Sequence, residues 1–128
     1  MTNPMQPTLR TVPLPSDLNI NGNIFGGWVL SQMDIAGGIV AGRRARGPVA
    51  TVAIEGMKFH RPIELGDVVS LYTRIERIGR TSINVFIEVC AERGTEGERR
   101  ETVTSGHFIF VAIDSHGRPR PIDDATGG

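Results

Sequence analysis

Cysteine, net charge and long apolar runs are all scarce in this chain of 128 residues. Cys90 is the only cysteine, which excludes an intrachain disulfide and a cysteine-based zinc site. Fourteen basic and fourteen acidic side chains cancel, so a dedicated partner such as nucleic acid or a membrane surface is not expected. No apolar run approaches the roughly 18 residues of a membrane span, and no signal-peptide pattern is present. The sequence therefore predicts a cytoplasmic protein.

The length predicts one domain over residues 1–128, large enough to bury roughly two thirds of its unfolded surface. No internal repeat or second domain is visible, and residues 1–7 and 119–128 are expected to be loose ends. The three histidines show no metal-ligand spacing, so no metal site is predicted.

The segment from Asn21 to Arg44 is rich in glycine and almost uncharged. Its apolar residues recur at helical spacing and predict a helix from about Phe25 to Arg43. Trp28 and Ile35 lie off the apolar stripe and are apolar too, so the helix is expected to be buried on nearly every side. Five glycines in this helix cost about 1 kcal/mol each relative to alanine. A close approach of other backbone or of a ligand would offset that cost.

Asp34 is the only acidic residue in this segment, and it shares a helical row with Leu30, Gly38 and Ala41. A carboxylate on a small, apolar row is costly unless it has a partner or a chemical role. The pattern alone leaves two interpretations open, a structural carboxylate and a reaction centre.

After Gly47-Pro48 the hydrophobic period changes from 3.6 to 2, which predicts strands. A short edge strand is expected within residues 8–14. Four further strands are expected at 49–59, from 66–67 onward, around 83–89 and at 99–113. The last of these strands carries Val103, Ile109, Val111 and Ile113 on one face. This order predicts an α+β fold in which a single antiparallel sheet curls around one helix. Pairing of sheet edges in a dimer would cover the long edge strands.

Six segments in order resemble the hotdog-fold acyl-CoA thioesterases of the YciA type, over Leu9 to about Arg120. They are Pro15 to Gly22, Ile24 to Trp28, Ser31 to Ile35, Thr51 to Met57, Pro62 to Val69, and Gly79 to Ser82. The resemblance implies a hotdog fold and hydrolysis of acyl-CoA to a free acid and CoA. It also implies sites between subunits, a homohexamer built as a trimer of dimers, and no metal or redox cofactor.

The resemblance places the family's catalytic aspartate at Asp34, as general base or nucleophile, and a loop asparagine at Asn19. Turn chemistry alone would also account for Asn19. The two residues of one site are expected to come from different chains.

Gly26 and Gly27 open the predicted helix, where backbone N–H groups lack intrahelical partners and the helix dipole favours negative charge. These amides could hold the oxyanion of a tetrahedral intermediate. The alternative interpretation is that both glycines only serve packing.

Two basic segments are candidates for the CoA phosphates. Gly79, Arg80, Thr81 and Ser82 offer amides, hydroxyls and a guanidinium, although they could form only a strand connection. Arg43 and Arg44 follow the helix and could instead complement its C-terminal dipole.

Two other functions compete with hydrolysis. Hydratases of the same fold carry a histidine five residues after the aspartate, where this chain has Ile39, which counts against hydration. A non-catalytic acyl-CoA-binding module would have little need of Asp34 and would usually carry a second domain.

Overall fold

The computed structural model describes residues 6–123, whose elements follow the predicted order. They are the strands Leu9–Thr11 (β1), Val49–Phe59 (β2), Val68–Ile78 (β3), Ser82–Arg93 (β4) and Arg99–Ala112 (β5), and the helix Gly26–Ala45 (α1). The strands form one antiparallel sheet in the order β1-β3-β4-β5-β2. The predicted α+β architecture is therefore confirmed. No helix among residues 6–123 is both long and apolar enough to cross a membrane.

The core lies between α1 and the concave face of the sheet. Val29, Met33 and Ala36 of α1 are buried, as are the inward residues of β4, which are Ile83, Val85, Ile87 and Val89. Gly37 shows why α1 tolerates glycine, since a Cβ there would lie 2.8 Å from the Phe110 ring and 3.0 Å from Ile87. At this position the helix is close to the sheet because a side chain is absent.

One face of α1 is open, contrary to the prediction of a helix buried on nearly every side. Gly27, Ser31, Asp34 and Ile35 are all exposed, and Ile35 retains 50% of its accessible surface. Their spacing places them on one stripe of the helix. We call these four residues the open face of α1. The sequence pattern does not reveal this exposed stripe, because an apolar residue, Ile35, lies on it as well.

Ile109 and Val111, which the pattern places on one face of the last strand, lie on its outer face. Phe108, Phe110 and Ala112 are buried against α1, whereas Ile109 and Val111 are half-buried. Val103 is buried as well, because a β-bulge opposite Val89 and Cys90 changes the alternation at that point. Since both faces of β5 carry apolar side chains, the period-2 pattern could not identify the inner one.

Part of the predicted loose tail packs against the body. Ile122 is buried and donates its N–H to the Arg80 carbonyl at 2.9 Å. The Arg120 guanidinium donates to the Ala45 carbonyl at 2.6 Å, close to the C-terminal end of α1. The remaining expected loose residues, 1–5 and 124–128, lie outside the described residues.

Candidate active site

The N-terminus of α1 presents two free amides. The Phe25 N–H bonds to the Asp17 carbonyl at 3.1 Å, and the Trp28 N–H bonds to the Phe25 carbonyl at 3.1 Å. Among the described residues, nothing accepts a hydrogen bond from the amides of Gly26 and Gly27, and no side chain caps the helix. Both glycines are exposed. Two free donors at the positive end of a helix can stabilise an oxyanion.

Asp34 lies two turns further along the open face. The Thr51 hydroxyl of β2 donates to Asp34 Oδ1 at 2.5 Å, which fixes the orientation of the carboxylate. Thr51 pairs with Phe110 of β5, so it points to the concave side on which α1 lies. The sequence interpretation did not single out Thr51. The strand alternation could have placed Thr51 on the inner face, but its hydrogen bond to Asp34 depends on how α1 crosses the sheet.

The free amides and the carboxylate are too far apart to act together within one chain. Gly27 and Asp34 are seven residues apart, or about 10 Å along the helix axis. The groups that attack and polarise a carbonyl must each lie about 3 Å from it. The short aspartate side chain does not close this gap. A site that uses both groups therefore needs the open faces of two chains.

Asn19 lies in the loop before α1, as predicted. Its Oδ1 accepts the N–H groups of Asn21 at 2.8 Å and Asn23 at 3.1 Å, which is the turn role of an asparagine. Within residues 6–123 its Nδ2 has no hydrogen-bond partner and no bond joins it to Asp34. The side-chain amide therefore retains both of its N–H donors for a substrate or water.

A cleft of about 230 Å³ lies beside Gly26. One wall is formed by Gly26 and Val29 of α1 with the two residues before the helix, Ile24 and Phe25, and the other is the end of β2 with the turn after it, residues 59–63. Thr104 of β5 also lines the cleft. The two walls are joined by the Ile24 N–H, which donates to the Ile63 carbonyl at 2.9 Å.

A buried ion pair fixes the wall formed by the turn after β2. Arg93 donates to Asp67 Oδ1 at 2.8 Å and to the Pro62 carbonyl at 2.8 Å, and Asp67 Oδ2 accepts the Glu64 N–H at 2.9 Å. Asp67 is only 2% exposed. Its hydrogen bond raises the pKa of the Arg93 guanidinium. A buried charge pair with its hydrogen bonds satisfied stabilises one geometry, whereas loss of one partner is costly.

The two predicted phosphate segments meet at one end of the molecule. The backbone carbonyl of Arg80 accepts the Ile122 N–H. The next residue, Asp123, forms a bidentate pair with Arg44 at 3.0 and 2.8 Å. This pair raises the pKa of Arg44 and lowers that of Asp123. In the described part of the chain the guanidinium groups of Arg43 and Arg80 form no ion pair.

Backbone groups in the segment between β3 and β4 are hydrogen-bonded within the fold. The Gly79 N–H donates to the Ser82 carbonyl at 2.8 Å, and the Thr81 carbonyl accepts the Ala112 N–H at 2.9 Å. The Gly79 amide is therefore occupied.

Across residues 6–123, no group of three or more His, Cys, Asp or Glu side chains could hold a metal ion.

The edge of the sheet beside the open face is unpaired and apolar. Among residues 6–123, β2 pairs with β5 alone, so the other edge of this 11-residue strand has no partner strand. Val52, Ile54 and Phe59 are 58%, 44% and 58% exposed. Such an edge is a template for another strand, and exposed apolar side chains of this size mark an interaction surface.

Comparisons with known proteins agree on one family. The family model described as "Thioesterase superfamily" matches residues 21–98. The acyl-CoA thioester hydrolase YciA of Salmonella typhimurium is 48% identical over 116 residues, which cover 89% of this chain and 87% of that protein.

Two solved structures are similar over nearly the full length. An aspartate-to-alanine mutant of HI0827, a hexameric broad specificity acyl-coenzyme A thioesterase, has a TM-score of 0.89 at 44% identity, covering 95% of this chain and 89% of that one. Cj0915, a hexameric hotdog fold thioesterase of Campylobacter jejuni, has a TM-score of 0.88 at 39% identity, covering 93% and 91%.

Proposed function

The chain belongs to the thioesterase superfamily, and from this membership we propose that it is an acyl-CoA thioesterase, which hydrolyses acyl-CoA to a free carboxylic acid and CoA. The observation that carries the proposal is the geometry of α1, which presents two free amides at its N-terminus and an oriented carboxylate on its open face. The hotdog fold implied by the sequence resemblance is the fold of this chain.

In this mechanism the thioester carbonyl accepts hydrogen bonds from the Gly26 and Gly27 amides, and the negative end of the developing oxyanion lies at the positive end of α1. Asp34, oriented by Thr51, acts on the carbonyl carbon. As a general base it takes a proton from water while the hydroxide forms the C–O bond. The C–S bond then breaks, and the CoA thiolate takes the proton. The Asn19 amide donates to the thioester or to the water.

Asp34 could instead act as the nucleophile. Its carboxylate would then form an anhydride with the acyl group as the C–S bond breaks, and water would release the free acid. Both routes use the same carboxylate and the same oxyanion donors. Neither route requires a metal or a redox cofactor.

Each site is formed by two subunits, because Asp34 and the Gly27 amide of one chain cannot reach the same carbonyl. The unpaired β2 edge with its apolar side chains supports a dimer formed edge to edge, and the hexameric relatives support a trimer of such dimers. Sedimentation equilibrium should give the mass of six chains. An active monomer at micromolar concentration would rule out the shared site.

The CoA phosphates bind at the end of the molecule where Arg43 and Arg80 lie, with Thr81 and Ser82 contributing hydroxyls. Arg43 is about 14 Å along α1 from Asp34, which leaves space for the pantetheine arm. Arg44 can join them only if its pair with Asp123 opens. The cytoplasm is the compartment that the sequence predicts.

The decisive test is a steady-state assay of the purified protein with acyl-CoA and a thiol reagent. We expect free CoA to appear in proportion to acyl-CoA consumed. A hydratase would modify an enoyl-CoA without releasing the thiol, and a binding module would retain acyl-CoA unchanged. Either of those results would overturn the proposed activity.

A further inference from the structure

Three polar side chains are fully buried in the described part of the chain, namely Asp67, Ser70 and Thr104. Asp67 is bound by Arg93 and Ser70 accepts a hydrogen bond from Arg10. Thr104 is 1% exposed, yet its hydroxyl makes no hydrogen bond with any residue from 6 to 123. Buried polar groups nearly always have a partner, and an exception requires an explanation.

Thr104 lines the cleft beside Gly26, so a ligand in the cleft would lie against its side chain. The other surfaces of the cleft are mainly apolar and include Ile24, Val29 and Phe59.

The other two polar side chains that line the cleft, His60 and Arg61, each have one partner. His60 Nε2 lies 3.2 Å from the Ser105 hydroxyl, and Arg61 pairs with Glu101 at 3.0 Å. Among the described residues, Thr104 is therefore the one polar side chain lining the cleft that has no partner, and it is also the only fully buried one.

The position of the cleft identifies the occupant, if the proposed function holds. A thioester whose carbonyl oxygen contacts the Gly26 amide has its acyl group next to this apolar cleft. A plain alkyl chain would cover the Thr104 hydroxyl without replacing its hydrogen bond, which is unfavourable. An acyl chain with an oxygen atom along its length would complete that bond.

We propose that this cleft receives the acyl group and that Thr104 selects acyl-CoA substrates whose chain carries a hydroxyl or oxo group. A site built to bond a substrate hydroxyl discriminates strongly against the analogue without it. The discrimination expected from one neutral hydrogen bond in an apolar cleft is about 10-fold in kcat/KM, equivalent to about 1.4 kcal/mol.

The test compares hexanoyl-CoA with the 3-, 4- and 5-hydroxyhexanoyl-CoA series in both stereochemical forms. Wild-type protein should favour at least one hydroxylated substrate about 10-fold over hexanoyl-CoA. Thr104→Val keeps the shape but removes the hydroxyl, so the preference should fall to about 1-fold. Thr104→Ser keeps the hydroxyl and should retain the preference.

Thr102→Val is the matched control. Thr102 lies two residues away on the same strand, contacts Cys90 and Glu88 and does not line the cleft. Removal of the Thr102 hydroxyl should therefore leave the substrate preference unchanged. A melting temperature for each variant identifies loss of folding. If Thr104→Val slowed all substrates equally, or if the preference survived it, the selection by Thr104 would be refuted. Failure of wild-type protein to hydrolyse any acyl-CoA would instead refute the proposed function.

Discussion

Asp34→Asn is the substitution that tests the reaction centre most directly. Asparagine has nearly the same shape as aspartate, and its side-chain carbonyl can still accept the Thr51 hydroxyl. The amide, however, can neither take a proton from water nor attack a thioester. The substitution therefore removes the chemistry and preserves the contact.

The two expected effects differ strongly in size. Asp34 is exposed in the folded chain, and aspartate and asparagine have similar helix propensities. The free energy of unfolding should consequently change by no more than about 0.5 kcal/mol. Loss of a positioned base or nucleophile lowers kcat/KM by about 10²-fold or more. This corresponds to at least about 2.7 kcal/mol of lost transition-state stabilisation.

The assay is CoA release from acyl-CoA under steady-state conditions, together with thermal unfolding of the same preparations. Glu88→Gln is the matched control, because it makes the same carboxylate-to-amide change on β4, where the side chain faces away from α1. We expect the control to keep its activity and the Asp34 variant to bind CoA normally. If Asp34→Asn retained wild-type kcat/KM, the proposed mechanism would be wrong.

Two further substitutions test the rest of the site. Gly27→Val should lower kcat/KM by about 10²-fold with little loss of stability, because the branched side chain blocks access to the amide while the nearby Phe25 ring is partly exposed and can move. In contrast, Gly37→Ala should lower the melting temperature, since its Cβ would lie 2.8 Å from the Phe110 ring. If Gly27→Val lost stability in parallel with its activity, packing would be the better account of Gly27. Arg80→Ala should raise KM for acyl-CoA several-fold and leave KM for the corresponding acyl-pantetheine unchanged, because only CoA carries the phosphates. An equal change for both substrates would mean that Arg80 supports structure.

The sequence by itself determined the order of elements and the approximate position of α1. These follow from local patterns, since period-3.6 and period-2 spacing of apolar residues is a property of each segment alone. It also identified Asp34 as the lone carboxylate of a glycine-rich helix, and the thioesterase family through six ordered segments.

Only the tertiary structure decided which surfaces meet. The inner face of β5 depends on a bulge at Val103 and on two apolar faces that the sequence could not rank. The partner of Asp34 is Thr51, 17 residues away in the chain, and the free hydroxyl of Thr104 is defined only by what surrounds it. The open face of α1 has the same physical origin, because burial is a property of the assembled packing rather than of the apolar pattern of one helix.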